Sequence, residues 1–149
     1  MRIEDEIKQK TFKSSHHRMA VNLIFTCHWL ENKFAKRLKP HHLTPQQFNI
    51  LRILRGQYPK PCRISLITER MLDKNSNASR LVEKLRKKGW VERQESKHDK
   101  RGVEIFITSE GLIFLEKMDL NESEWNESLH VLSSTEADLL SALLDKLRC

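Results

Sequence analysis

The hydrophobic period of the chain changes at Gly89, and this change limits the possible folds more than any other feature of the sequence. Before Gly89, apolar residues recur at steps of three and four, as they do on one face of an α-helix. After Gly89, apolar and polar residues alternate in 90–93 and 103–108, as they do in half-buried strands. The polar stretch 94–102 between the strands is too long for a tight turn and closes with a glycine. The sequence therefore predicts helices followed by a β-hairpin with an extended tip.

Two helices are predicted in the N-terminal third of the chain. The first is a long amphipathic helix from about His16 to Leu38, ended by Pro40. Its apolar stripe consists of Met19, Leu23, Cys27, Leu30, Phe34 and Leu38. The second begins at a capping box formed by Thr44 and Gln47 and stops at Gly56. Because its apolar residues lie on too many sides for a surface helix, we expect it to be a buried spine.

The middle of the chain predicts two short helices joined by a polar turn. The segment 57–63 holds two prolines and is expected to be a loop or a very short strand. Ser65 is the expected cap of the first short helix. The inward residues of that helix are predicted to be Leu66, Ile67, Met71 and Leu72. After the turn 73–75, the second helix is predicted over 76–88, with Gly89 as the residue that follows its C-terminus.

Two helices are also predicted after the hairpin. A long helix begins at Ser109 and carries a set of apolar residues: Leu112, Leu115, Met118, Trp125 and Leu129. A second capping box, formed by Ser133 and Glu136, opens the last helix. One face of that helix is built from Leu139, Leu140, Leu143, Leu144 and Leu147.

The charge of the chain favours an anionic partner. The 149 residues carry a net charge of +7, and residues 60–102 hold 13 basic residues against 6 acidic ones. Residues 103–149 are acidic, with 3 basic and 10 acidic residues. A solvated cationic surface without a partner is the alternative explanation of the charge alone.

Several functional classes find no support in the sequence. The charged start MRIEDEIKQK is unlike a signal peptide, and no run reaches the roughly 18 apolar residues of a membrane span, so we expect a cytoplasmic protein without a membrane partner. The three cysteines do not form a disulfide framework, and the histidines lack metal-ligand spacing, so no metal is expected. The sequence has no glycine-rich nucleotide loop and no nucleophile motif, so we expect neither an enzyme nor a cofactor.

Together these elements predict a mainly α (α+β) protein with a winged helix-turn-helix. A recognition helix must expose small polar and basic side chains to enter the major groove of DNA. The candidate DNA-binding residues are Lys74, Asn75, Ser76, Asn77, Ser79, Arg80 and Lys84 around this helix, and Lys97, Lys100 and Arg101 at the hairpin tip. Asparagine can pair with adenine and arginine with guanine, and an arginine at the tip can reach the minor groove. Asn75 and Ser76 also fit a plain cap and turn, and the tip also fits a solvated loop. A further alternative is that Asp99 braces Arg101, which then contacts no partner.

The chain resembles the MarR family of regulators from about residue 16 to residue 147. The resemblance is carried by LTPQQFNILRIL (43–54), SRLVEKLRKKGWVER (79–93), DKR (99–101) and ITSEG (107–111). It implies a single domain over 1–149, with a winged-helix DNA-binding lobe at about 43–111 and dimerisation helices at about 5–38 and 112–148. It further implies a homodimer on a palindromic double-stranded operator, with half-sites roughly one helical turn apart. Repression relieved by a small ligand or an oxidant is the common mode of this family.

The resemblance leaves the sensing mode open. Relatives usually bind small aromatic or phenolic ligands between the dimerisation helices and the DNA-binding lobe, but the residues of such a site are not apparent in the sequence. Redox sensing by Cys27 is an alternative, although this residue stands on the apolar stripe and is expected to be a small core residue. Cys149 is expected to be exposed. A winged helix used for protein–protein contact is a further alternative, which the basic recognition face argues against.

Overall fold

The computed structural model describes residues 1–95, 102–120 and 129–149. Its helices are α1 (Ile3–Glu6), α2 (Ser15–Leu38), α3 (Pro45–Arg55), α4 (Ile64–Arg70), α5 (Ala78–Lys87), α6 (Ser109–Leu120) and α7 (Ser134–Leu147). Its strands are β1 (Cys62–Arg63), β2 (Val91–Glu95) and β3 (Val103–Ile107). The chain is mainly helical with a small sheet, and the predicted order of helices, hairpin and helices is confirmed. The short helix α1 was not predicted.

The three strands form one antiparallel sheet in the order β1–β3–β2. Ile105 stands at its centre, opposite Cys62 on one side and Arg93 on the other. The short strand expected in 57–63 is therefore present as β1, and β2 continues two residues beyond the predicted strand. The expected tip residues Lys97, Lys100 and Arg101, and Asp99 with them, lie outside the described residues.

Helix α3 is the spine of the core, as its apolar pattern predicted. Ile50, Leu51 and Leu54 are at most 1% exposed. The helix packs against α2, α4, α5, α6 and β3, so its apolar surface is covered on several sides at once. Its start is held by the predicted capping box, in which the Gln47 N–H donates to Thr44 Oγ1 (3.3 Å) and the Thr44 N–H donates to Gln47 Oε1 (3.0 Å).

Gly89 ends α5 in the way that the sequence predicted. Its φ of +75° lies in the left-handed region, which glycine adopts without a steric cost. The Gly89 N–H donates to the carbonyl of Arg86 (2.9 Å), and the Trp90 N–H donates to the carbonyl of Leu85 (3.2 Å). These two bonds form a Schellman motif, which satisfies the last carbonyls of the helix and turns the chain directly into β2.

The prediction for α4 was wrong at both ends. Its N-cap is Arg63, which makes no side-chain capping bond, and Ser65 is an exposed residue of the first turn. The helix starts early because β1 pairs with β3 up to Arg63 and the chain then enters the helix at once. Leu72, expected to point inward, is 89% exposed, whereas Met71 is 1% exposed. Met71 has extended backbone (ψ 141°), so the next side chain points away from the core.

Two expectations about the long helices were also wrong. Leu129 lies in a turn rather than in the helix that begins at Ser109, and Trp125 lies outside the described residues. Cys27, expected to be a small core residue, is exposed, because the N-terminal half of α2 extends away from the core. Cys149 is exposed, as expected. Of the stripe on α2, only Leu38 is buried.

The last helix, α7, leaves its apolar face uncovered. The predicted capping box is present: the Glu136 N–H donates to Ser133 Oγ (3.3 Å) and the Ser133 N–H to Glu136 Oε2 (2.8 Å). Leu139, Leu143 and Leu147 are 60%, 55% and 50% exposed, and α7 contains no buried residue. Over the described ranges, none of the helices is both long and apolar enough to cross a bilayer.

Candidate nucleic-acid interface

Helix α5 is amphipathic and presents its polar side outward. Ala78, Val82 and Leu85 are buried in the core against α3 and α4. Ser79, Arg80 and Lys84 are exposed on the remaining surface of the helix. The steps of three and four between the buried residues leave one continuous strip that faces solvent. This strip contains the helical part of the predicted DNA-binding set.

The turn before α5 is organised by Asp73. Its carboxylate accepts from the Ser76 hydroxyl (2.7 Å) and from the Asn75 backbone N–H (3.0 Å). The hydrogen bond from the Ser76 side chain, and then that from the Asn75 backbone, lower the pKa of Asp73 below its usual value. Asn75 and Ser76 thus hold the turn in shape, which is the role that the sequence left open as an alternative to DNA contact. The Lys74 ammonium donates to the backbone carbonyl of Glu69.

The helix itself begins at Ala78, two residues later than predicted, and Asn77 is its N-cap. Asn77 Oδ1 accepts from the Arg80 backbone N–H at 3.0 Å. Because this bond satisfies an N–H of the first turn that has no partner within the helix, the Asn77 side chain stabilises the start of the helix. Because the helix begins at Ala78, Arg80 is its third residue and lies exposed in the first turn.

The positive charges of α5 are not equivalent. Arg86 donates twice to Glu83, at 2.9 Å for each bond, and this ion pair lowers the pKa of Glu83 and raises that of Arg86. In the described part of the chain, no carboxylate lies within ion-pair distance of Arg80 or Lys84. Arg80 and Lys84 are therefore available to an anionic partner, whereas Arg86 is already paired.

Other exposed cations of the lobe were not singled out in the sequence. They are Arg63 at the start of α4, Arg70 in its last turn, Lys87 at the end of α5 and Arg93 on β2. They belong to the basic stretch 60–102, but only the fold shows that they are exposed. The Lys88 ammonium lies 5.5 Å from the centre of the Trp90 ring, in a cation–π arrangement.

A cavity of about 490 Å³ lies between α2, α3, α6 and the turn before α5. Its lining residues are Leu30, Glu31, Phe34, Arg37, Pro45, Gln46, Phe48, Asn49, Arg52, Leu72, Asp73, Met118 and Asp119. The rings of Phe34 and Phe48 meet edge to face with centres 5.2 Å apart, which makes part of the wall aromatic. The family resemblance implied a ligand site between the dimerisation helices and the DNA-binding lobe, but the sequence did not identify these residues.

Arginines form the polar corner of the cavity. Arg37 Nη2 donates to the carbonyl oxygen of Met118 (2.5 Å). Asp119 receives Arg55 Nη1 at 2.5 Å and lies 3.8 Å from Arg52 Nη1. These contacts join α2 and α3 to the end of α6. Opposite them, the Leu72 N–H donates to Asn49 Oδ1 (3.0 Å), so α3 also holds the turn that leads to α5.

Among the residues that the structure describes, the cysteines and histidines do not gather into a site. Burial raises the pKa of the Cys62 thiol, which keeps this core cysteine protonated. Within residues 1–95, 102–120 and 129–149, no group of three or more histidine, cysteine or carboxylate side chains is arranged to hold a metal ion.

The chain was compared with known families, proteins and structures. The MarR family profile matches residues 43–103. The chain is 31% identical over 119 residues to the transcriptional repressor MprA of Escherichia coli (strain K12), an alignment that covers 79% of this chain and 67% of MprA. Its fold is similar to that of the organohalide-sensing regulator RdhR in a 2,4-dichlorophenol-bound form, with a TM-score of 0.79, 20% identity and coverage of 94% and 85%. Bordetella bronchiseptica BpsR, whose DNA binding is regulated by 6-hydroxynicotinic acid, matches with a TM-score of 0.76, 20% identity and coverage of 89% and 99%.

These similarities agree with the site. The family match spans the helix-turn-helix and β2 and ends at Val103, the first residue of β3. The proteins that resemble the chain are transcriptional regulators rather than enzymes. The described structure supplies the same order of elements and a recognition helix with unpaired cations. The chain belongs to the MarR family of winged-helix transcriptional regulators.

Proposed function

We propose that the protein is a homodimeric repressor that binds a palindromic double-stranded operator and releases it when a small aromatic effector enters the cavity beside α3. In this proposal residues 43–111 form the DNA-binding lobe, and residues 5–38 and 112–148 form the dimerisation region of one domain. The protein acts in the cytoplasm, without catalysis and without a resident cofactor. The observation that carries the proposal is the exposed strip of α5, on which Arg80 and Lys84 have no carboxylate partner in the described structure.

The DNA contacts that we propose follow from the geometry of α5. Arg80 and Ser79 lie in the first turn, the part of a recognition helix that approaches base edges, and Lys84 lies one turn later, where a phosphate contact is expected. Lys74, Asn75, Ser76 and Asn77 act mainly by shaping the entry to the helix. Lys97, Lys100 and Arg101 of the hairpin tip remain proposed minor-groove contacts.

The dimer is supported by the uncovered leucines of α7. A helix of 14 residues with half-exposed leucines along one face leaves much of its apolar surface in water in a single copy. Met19, Ile24 and Trp29 on α2 are also 44% to 59% exposed. A second copy that covers both surfaces provides the two-fold symmetry that a palindromic operator requires.

The effector response is supported by the walls of the cavity. The walls of the cavity include Leu72 and Asp73, in the segment that leads into α5, and residues of α2, α3 and α6. A ligand between these walls contacts the support of the recognition helix directly, and an apolar ligand covers the exposed Leu72 side chain. RdhR and BpsR, which share the fold, respond to small aromatic molecules.

The test is a titration of the protein against its own upstream intergenic DNA and a scrambled control at two salt concentrations. Arg80→Ala is expected to weaken specific binding by about 1–3 kcal/mol, since a base-reading arginine is lost. Arg86→Ala is the matched control, because it removes the same charge from the same helix at a position already paired with Glu83. Binding is also expected to fall steeply as salt rises.

Equal binding by both variants would contradict the proposed use of α5. A complex that does not respond to salt would instead favour a winged helix that contacts a protein, the alternative left by the sequence. Cys27→Ser separates the redox alternative: loss of an oxidant response in this variant would transfer the sensing role from the cavity to Cys27, which is exposed.

A further inference from the structure

The arginine corner of the cavity already contains a carboxylate. Asp119 contacts both Arg52 and Arg55, which are three positions apart and therefore lie on the same side of α3. Arg37, the third arginine nearby, donates to the backbone carbonyl of Met118. The guanidinium groups that would otherwise receive an acidic ligand are therefore engaged by groups of the chain itself.

The rest of the lining leaves the arginines without an excess of positive charge. Three carboxylates line the cavity, those of Glu31, Asp73 and Asp119. They offset the two lining arginines, Arg37 and Arg52, together with Arg55, which pairs with Asp119 from outside the lining. Hydrogen bonds to the Asp73 carboxylate lower its pKa and keep it ionised at neutral pH. A ligand carboxylate must either displace Asp119 from its arginines or lie near other negative charges, and both routes reduce its affinity.

We propose that Asp119 determines the selectivity of this cavity, favouring uncharged aromatic ligands over aromatic carboxylates. The aromatic wall of Phe34 and Phe48 attracts ligands of both kinds, so discrimination arises at the arginine corner. Asp119 reaches this corner only through the packing of α6 against α3. The inference rests on the proposed effector response of the same cavity.

The experiment uses a matched pair of probes, para-chlorophenol and para-chlorobenzoate, which have the same ring and differ in charge at neutral pH. Calorimetric titration of the full-length protein compares wild type, Asp119→Asn and Glu116→Gln. Glu116 is exposed on the same helix and outside the cavity lining, so its variant matches the charge change. We expect Asp119→Asn to raise the affinity for the benzoate about tenfold, and to change that for the phenol by less than about twofold. Glu116→Gln is expected to change neither affinity.

A second variant tests which partner Asp119 neutralises. In the Asp119→Asn background, Arg52→Gln is expected to remove most of the gain for the benzoate, because Arg52, unlike Arg55, lines the cavity. Thermal unfolding of each variant checks the fold. Asp119 is at the partly exposed end of α6, so we expect the neutral substitution to leave the fold intact.

The outcomes separate the two proposals. If wild type binds the phenol and Asp119→Asn leaves the ratio of the two affinities unchanged, the role of Asp119 is wrong while the effector cavity stands. If wild type binds neither probe but Asp119→Asn binds the benzoate, the role of Asp119 stands and the aromatic effector response of the natural protein is wrong. Binding of neither probe by either protein overturns both.

Discussion

The winged-helix lobe and the last helix, α7, differ in how much of their apolar surface a single chain buries. In the lobe, α3 is covered by four helices and a strand, and its leucines are inaccessible to water. In α7 no residue is buried, although its leucines repeat as regularly as those of α3. Equal periodicity therefore leads to unequal burial. The lobe completes its core within one chain, whereas the terminal helices present an apolar surface that we propose is completed by a second copy.

Leu51→Ala is expected to have the largest effect and to act on the lobe alone. Leu51 is fully buried in α3, so its truncation leaves a cavity and lowers the free energy of unfolding by about 2–5 kcal/mol. Thermal unfolding at several protein concentrations measures the effect. The loss should be the same at each concentration, and a loss that varies with concentration would mean that the lobe depends on the partner for its own core.

Leu143→Ala tests the other side of the comparison. Leu143 is 55% exposed in one chain, so its truncation costs the isolated chain little, but it should weaken self-association by about 1–2 kcal/mol. Sedimentation equilibrium measures the association, with Asp138→Ala on the same helix as a control outside the leucine stripe. Unchanged association in Leu143→Ala would remove α7 from the proposed interface.

Asn77→Ala removes the N-cap of α5 and tests a local contribution to stability within the lobe. Loss of the cap bond to the Arg80 N–H should destabilise α5 by about 1 kcal/mol without affecting association. Hydrogen exchange of the first amides of α5 reports the change. Asn75→Ala is the control, since the Asn75 backbone rather than its side chain bonds Asp73. Equal effects of the two variants would argue against a capping role for Asn77.

The smallest expected effect is a pH-dependent loosening of α1 from α2. Arg18 donates to both oxygens of Glu4, at 2.7 and 3.4 Å, and this bond is the main reason that the pKa of Glu4 falls from 4.5 to about 2. A depressed carboxyl pKa stabilises the folded contact above the ordinary pKa, and this contribution is lost as the pH falls through about 2. The methyl resonance of Ile3, which α1 buries, should therefore shift in acid as α1 loosens from α2. In Glu4→Gln that acid-dependent step should be absent, and its persistence would show that another group controls the loosening.

Much of the fold was predictable because its signals are local. The capping boxes at Thr44 and Ser133 and the terminal glycine at Gly89 each depend on a few neighbouring residues, and each is present as expected. The predictions that failed depend on what surrounds a segment. Ser65 has the chemistry of a cap, but pairing of β1 with β3 starts the helix earlier. Cys27 follows the apolar stripe, but the lobe does not extend far enough along α2 to cover it.

The sequence by itself determined the order of the elements, the buried spine, the exposed basic strip of the recognition helix and the family, because periodicity, caps and short motifs operate over a few residues. Only the tertiary structure decided which polar residues hold the turn before α5 and which remain exposed. It also decided the cavity and its arginine corner. Arg55 and Asp119 are 64 positions apart in the chain, and neither residue has a local pattern that indicates the other. Contacts at such separation follow from how helices pack, and the packing becomes known only when the whole core is assembled.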